Sequence, residues 1–278
     1  KQERSRSGTG TGRYNMERKA LFFDIDGTLL GEKTRKIPES AAEALRKARE
    51  KGHLVFINSG RARCLMQDIE ESGIPVDGYL CGCGTYIEIG GKKVLHNTVP
   101  AGRRLEIQKA IISHRLEGVL EGMEACCARE GVSPLESVER MKNSLRRRGV
   151  LITDDWEKAA DFDKFCVEVI KESDIDGFLK FLEPDFAAID RGHGLYECVP
   201  AGFNKAAAME FILRYFDIPW EQSYAFGDSS NDLAMIRYAC NSVIMGKHDA
   251  VLEPYATFVT KTVEEDGIAY AFEALAIL

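Results

Sequence analysis

Apolar residues recur along this chain in short runs that alternate with amphipathic stretches. Lys19-Ala20-Leu21-Phe22-Phe23 reads as a buried strand that ends in Asp24-Ile25-Asp26-Gly27-Thr28. Residues 39–51 place Ala41, Ala44, Leu45 and Ala48 on one helical face, and Gly52 stops the helix. His53-Leu54-Val55-Phe56-Ile57 is a second buried strand, followed by Asn58-Ser59-Gly60-Arg61 and an amphipathic helix to about Ser72. Strand and helix alternating through short connections predict a parallel sheet covered on both faces.

The pattern changes after Gly84. Residues 85–89 and 92–96 read as a hairpin turned at Gly90-Gly91. Helices are predicted near 101–118 and within 134–147, a strand over 165–170, and a helix over 173–182. A last hairpin spans 186–199 around Arg191-Gly192-His193-Gly194. Hairpins mixed with helices predict a separate α+β unit. From Phe203 the first style returns. Asn204 caps a helix to about Tyr215, Tyr224–Phe226, Val243–Met245 and Thr257–Val259 read as strands, and a helix follows Glu264. The expected organisation is a discontinuous α/β core, 16–83 plus 200–278, interrupted by an inserted α+β domain at 84–199. Residues 1–15 are polar and glycine-rich without periodicity, and read as a flexible extension.

Composition narrows the function classes. Of 278 residues, 45% are hydrophobic and 29% charged, and the formal charge is −7, which argues against a nucleic-acid partner. No run approaches a membrane span and no apolar leader is visible, so a cytoplasmic protein without a membrane partner is expected. The eight cysteines lack the spacing of a zinc site. Buried thiols in a reducing compartment are the simpler reading, and Cys126-Cys127 is expected to pack inside the insert.

The candidate chemistry sits where predicted strands end or where the insert rejoins the core: Asp24/Asp26, Ser59, Lys205 and Asp228/Asp232. In open α/β sheets ligands bind beyond the carboxyl ends of the strands, so these distant residues are expected to share one edge. Four carboxylates there need a cation, and Mg²⁺ pairs readily with carboxylates and phosphate. Lys205 adds positive charge, while Ser59 offers a hydroxyl near a helix N-terminus. The set describes a phosphate site. Asp24 is placed to attack phosphorus, and Asp26 to protonate the leaving oxygen and then activate water. The bend at Gly27 leaves their relative geometry open.

Asp24-Ile25-Asp26-Gly27-Thr28, Ser59 in Asn58-Ser59-Gly60-Arg61, Lys205 after Ala201-Gly202-Phe203-Asn204, and Gly227-Asp228-Ser229-Ser230-Asn231-Asp232 occur in the order of four known motifs. On these the chain resembles the haloacid dehalogenase-like superfamily, and within it the Cof-type phosphatases with a larger cap inserted between the second and third motifs. The resemblance covers 17–278, most weakly across the insert. It implies a Rossmann-like core with an α+β cap, Mg²⁺ as cofactor and a small phosphorylated metabolite, by default a sugar phosphate, as substrate. It further implies Asp24 as nucleophile and metal ligand, and Asp26 as acid/base lending its backbone carbonyl to the metal. Asp228 and Asp232 would complete the metal site, with Ser59, Gly60, Lys205 and Asn231 around the phosphate. A phosphomutase or a non-enzymatic sensor of the same fold are the alternatives. Cys81-Gly82-Cys83-Gly84 stands where such proteins often carry Asn-Gly-Ala. In the insert, Arg191, His193 and Tyr196 are candidate substrate contacts, and Arg146-Arg147-Arg148 a solvated helix end.

Overall fold

A computed structural model describes residues 18–129, 136–147, 151–152, 156 and 161–278. The flexible extension expected over 1–15, residues 134–135 of an expected helix, and Arg148 lie outside the described residues. Two sheets organise the rest. The first has eight strands in the order β14-β13-β12-β1-β2-β3-β4-β5. Its parallel part comprises β1 (Ala20–Phe23), β2 (Leu54–Asn58), β3 (Gly78–Cys81), β12 (Ser223–Gly227), β13 (Asn241–Ile244) and β14 (Phe258–Val259).

The continuous apolar runs follow from burial on both faces. On β1, Leu21 and Phe23 face one cluster and Ala20 and Phe22 the other, as a two-residue period requires. The first cluster meets Ala41, Ala44, Leu45 and Ala48 of α1 (Glu39–Glu50) and Phe272 of α8 (Gly267–Ala274). The second meets Met209, Ile212 and Leu213 of α6 (Lys205–Phe216) and Ile236 of α7 (Leu233–Tyr238). The short α2 (Gln67–Glu71) follows β2, and its Ile69 joins the first cluster.

The hairpin β4 (Tyr86–Ile89) and β5 (Lys92–His96) departs from expectation. The sequence pattern groups it with the insert, but β4 pairs antiparallel to β3 and extends the core sheet. A parallel sheet can take an antiparallel edge through a tight connection, so a change of sequence style is not a change of sheet. The boundary expected at 84 therefore moves past this hairpin.

The second sheet has six strands in the order β10-β11-β9-β6-β7-β8. These are β6 (Leu116–Glu121), β7 (Cys126–Ala128), β8 (Leu151–Ile152), β9 (Lys164–Val169), β10 (Phe186–Asp190) and β11 (Leu195–Pro200). Helices α3 (Ala101–Ser113) and α5 (Ile175–Leu182) bring Ile107, Ile111, Phe178 and Leu182 against Leu120, Phe165, Val167 and Cys198. The helix expected over 101–118 stops at Ser113. Arg115 takes a left-handed φ of 57°, which breaks the helix and starts β6. Helix α4 (Glu136–Arg147) lies in the same unit, and its Lys142 forms a buried ion pair with Glu117 of β6.

Candidate active site

The carboxyl ends of β1, β2 and β12 meet as the sequence requires of an open α/β sheet. Asp24 follows β1 and Asp228 follows β12. Asp232 closes a 3-10 turn, Ser230–Asp232, whose capping box ties it to Ser229. Carboxylate oxygens of Asp24, Asp228 and Asp232 all lie within 4.8 Å of one another, and all three residues are buried. Lys205 opens α6, where Asn204 caps the helix by accepting from the Ala207 amide at 2.9 Å. Its Nζ donates to Asp24 Oδ1 at 2.6 Å and to Asp232 Oδ1 at 2.5 Å. Asp232 Oδ2 in turn accepts from the Asp228 and Ser229 amides at 2.9 and 3.1 Å.

One cation against three buried carboxylates leaves the site short of positive charge. Burial, with the charges of Asp232 and Asp24, pushes the Asp228 carboxyl from 3.8 up to about 8. Burial also pushes Asp24 up to about 6, although Lys205 beside it pulls the other way. Burial opposes the Lys205 charge, but Asp232 and Asp24 outweigh it and hold the ammonium above the ordinary lysine range. Thr28 Oγ1 steadies Asp228 by donating to Oδ1 at 2.7 Å. Gly27 is required beside it, because its φ is +87° and an added Cβ would lie 2.4 Å from Asp228 Oδ2.

Ser59 is buried just past β2, where its Oγ accepts from the Arg61 amide at 3.2 Å. Asn231 is held by Ser229, which donates to its Oδ1 at 2.8 Å. Asp24, Asp26, Ser59, Gly60 and Asn231 all line one cavity of about 320 Å³. The Asp26 carboxylate is not one of the clustered three. It is half exposed and accepts from Arg61 Nη2 at 2.8 Å and Arg35 Nη1 at 3.2 Å.

The second sheet forms the opposite wall of that cavity. Val119 and Glu121 of β6, Lys164 and Cys166 of β9, and Leu195 and Glu197 of β11 line it. Each pair is two residues apart, and in register Glu121 faces Lys164 while Cys166 faces both Val119 and Glu197. One pleated face thus packs on helices and the other faces the site. Lys164 Nζ is buried and donates to Glu197 Oε1 at 2.8 Å, with Glu121 Oε2 at 3.2 Å. Cys83 of the core approaches Glu197 Oε1 at 3.3 Å, so this wall and the core are joined beside the cavity. Gly60 leaves room for that approach, since an added Cβ would sit 2.8 Å from Glu197 Oε1.

Of the insert residues singled out in the sequence, Arg191 reaches the cavity, 3.9 Å from Glu197 Oε2, and its buried Nη1 has no hydrogen-bond partner. His193 is exposed in the hairpin turn, and Tyr196 packs on the insert's own core. Arg146 and Arg147 are exposed at the end of α4. The sequence does not single out Arg61, Glu121, Lys164 or Glu197 as site residues. Arg61 stands in plain view after Ser59. The other three become visible only once the strand register is known.

Comparisons with known proteins agree with this arrangement. The sequence profile of the haloacid dehalogenase-like hydrolases matches residues 21–272, so the chain belongs to that family, in its Cof-type group. It is an enzyme of the phosphatase type. The chain is 32% identical over 271 residues to "Putative phosphatase YkrA" of Bacillus subtilis (strain 168), covering 95% of this chain and 100% of that one. It is 24% identical over 292 residues to the 5-amino-6-(5-phospho-D-ribitylamino)uracil phosphatase YwtE of the same organism, covering 92% and 98%. Among solved structures, the subclass IIB sugar phosphatase BT4131 superposes with a TM-score of 0.80 at 26% identity, over 94% of this chain and all of the other.

Proposed function

We propose that the chain is a Mg²⁺-dependent phosphomonoester hydrolase that works through an aspartyl phosphate at Asp24. The observation that carries this reading is the buried trio of Asp24, Asp228 and Asp232 with Lys205, of which Asp24 lines a roofed cavity at the carboxyl edge of a parallel sheet. Burial and mutual repulsion, which raise the Asp228 and Asp24 carboxyls, are what a bound cation would offset, and an all-oxygen donor set suits Mg²⁺. Asp24, Asp228 and Asp232 would hold the ion by their carboxylates, with Asp26 contributing its backbone carbonyl. Bound there, Mg²⁺ would supply charge compensation for the transferring phosphoryl group.

The side chains then divide the work. Asp24 attacks phosphorus while Lys205 keeps its carboxylate oriented and offsets phosphate charge. Ser59 and the Gly60 and Asn231 positions bound the phosphate, and the Ser59 hydroxyl keeps its hydrogen for a phosphate oxygen. Asp26, in the same cavity, protonates the departing oxygen and then takes a proton from the water that cleaves the aspartyl phosphate. The opposite wall brings two carboxylates, Glu121 and Glu197, and two cations, Lys164 and Arg191. Their charges sum to zero, which favours a neutral leaving group with hydroxyls that both donate and accept. A cavity of about 320 Å³ has room for a phosphate with a sugar-sized group, and a sugar phosphate is the proposed substrate class.

Phosphate release from a panel of metabolite phosphates, with Mg²⁺, tests the reading. Wild type is expected to release phosphate from small polyol or sugar phosphates, and Asp24→Asn from none. Activity that appears only with a bisphosphate activator would indicate phosphoryl transfer within a sugar, and no release from any compound would favour a sensor.

A further inference from the structure

Two thiols, one from each sheet unit, meet beside the cavity. Cys64 lies in the 3-10 turn Arg63–Leu65, directly after the Ser59–Arg61 segment that lines the site. Cys126 opens β7 of the cap. Their sulfurs are 3.3 Å apart. The sequence places Cys126 within the insert's packing, where Cys127 indeed lies. The Cys126 side chain instead points across to Ala62, Cys64 and Leu65 of the core, with Leu145 of α4, in a small cluster separate from the three main cores. Strand alternation explains the split, since adjacent residues face opposite sides of β7.

We propose that Cys64 and Cys126 form a reversible redox latch: oxidation by a peroxide joins them in a disulfide that ties cap to core and stops turnover. The effect on turnover rests on the function proposed above. In the first step the Cys64 thiolate attacks one peroxide oxygen, the O–O bond breaks, and the second oxygen leaves as hydroxide and takes up a proton as water. Cys126 then attacks the Cys64 sulfenic sulfur, the S–S bond forms, and a second water departs. A dithiol reductant returns two electrons and two protons and reopens the latch.

The geometry fixes the roles. Cys64 is partly exposed and can meet peroxide, whereas Cys126 is 3% exposed and can act only from within. The contact with Cys126 also holds the Cys64 thiol below its ordinary value, which favours the thiolate. A disulfide needs about 2.0 Å between sulfurs, so from 3.3 Å the two have only a little over 1 Å to close. The cross-link would bridge residues 62 apart in sequence and pin the Ser59–Arg61 segment to the cap sheet. A site roofed by a cap must open to exchange substrate and product, and the bond would prevent it. The remaining cysteines make no sulfur–sulfur contact among the described residues. Those in the cavity wall instead approach carboxylates, Cys83 at Glu197 and Cys166 at Glu121.

The test uses the full chain, reduced and then treated with hydrogen peroxide. Free thiols are alkylated, linked peptides are mapped by mass spectrometry, and phosphate release is measured on the same samples. Wild type is expected to lose activity roughly tenfold or more as a Cys64–Cys126 peptide appears, with dithiothreitol reversing both. Cys126→Ser is expected to start at wild-type activity, to keep it under the same dose, and to accumulate a sulfenic acid at Cys64 that dimedone traps. Three results would overturn the latch: no linked peptide, a linked peptide with activity unchanged, or equal inactivation of Cys126→Ser. Reduced wild type that releases no phosphate would instead refute the phosphatase reading, and the peptide map would still judge the cross-link.

Discussion

Asp228→Asn is expected to stabilise the metal-free protein while abolishing its activity. In the fold this carboxyl is held at about 8 by burial and by Asp232 and Asp24, against 3.8 for the ordinary group. An acid whose folded pKa is raised contributes its full stability below the unfolded value and loses it as pH rises toward the folded value. Between pH 3.8 and 7 that loss spans about three pH units at about 1.36 kcal/mol each, or about 4 kcal/mol. The substituted amide would not titrate, and its oxygen would still accept from Thr28, whose hydroxyl lies 2.7 Å from the present carboxylate. Urea denaturation with a chelator is therefore expected to show the variant more stable at pH 7 by about 2–4 kcal/mol, with the gap closing toward pH 4. Added Mg²⁺ should stabilise wild type and leave the variant nearly unmoved. A variant equal to or weaker than wild type at pH 7, with a gap that does not vary with pH, would refute the electrostatic account of the site.

Lys205→Met removes the cation between Asp24 and Asp232 and should cost about 3–5 kcal/mol of stability in chelator. A second change, Asp24→Asn, should recover part of that loss, and strictly additive denaturation energies would contradict the coupling seen at 2.6 Å. Gly60→Ala brings a Cβ to 2.8 Å from Glu197 Oε1 and so penalises the closed cap. It should raise KM roughly tenfold with an unmoved Tm; an unchanged KM would mean that Glu197 does not approach the core during turnover.

The core is legible in the sequence because both its faces are buried. Such strands read as uninterrupted apolar runs, and three of these runs lead into residues that the structure brings to the site: Asp24, Ser59 and Asp228. The spacing from Asp228 to Asp232 is one short turn, so their proximity is legible too. Register and sheet membership are not. The Glu121–Lys164 pair comes from strands paired across 43 residues, and nothing local marks either residue as facing a ligand. The hairpin at 86–96 reads as part of the insert because pairing with β3 or with the insert demands the same alternation. The start of β6, Leu116 to Gly118, merges with the preceding helix in the sequence because the helix stop, a left-handed Arg115, uses a residue type that rarely adopts that conformation. The orientation of Asp26, turned toward Arg61 and Arg35, depends on tertiary partners and is not written in Asp24-Ile25-Asp26 alone.

The most direct test of the central claim is whether the phosphoryl group passes through Asp24. Rapid quenching of the Mg²⁺-loaded enzyme with a radiolabelled phosphomonoester, followed by peptide mapping in acid, reads this step. The account predicts transient label on the peptide carrying Asp24, lost on alkaline or hydroxylamine treatment as an acyl phosphate should be, and absent from Asp24→Asn. Steady phosphate release with no label on that peptide at any time, or with Asp24→Asn still turning over, would contradict it.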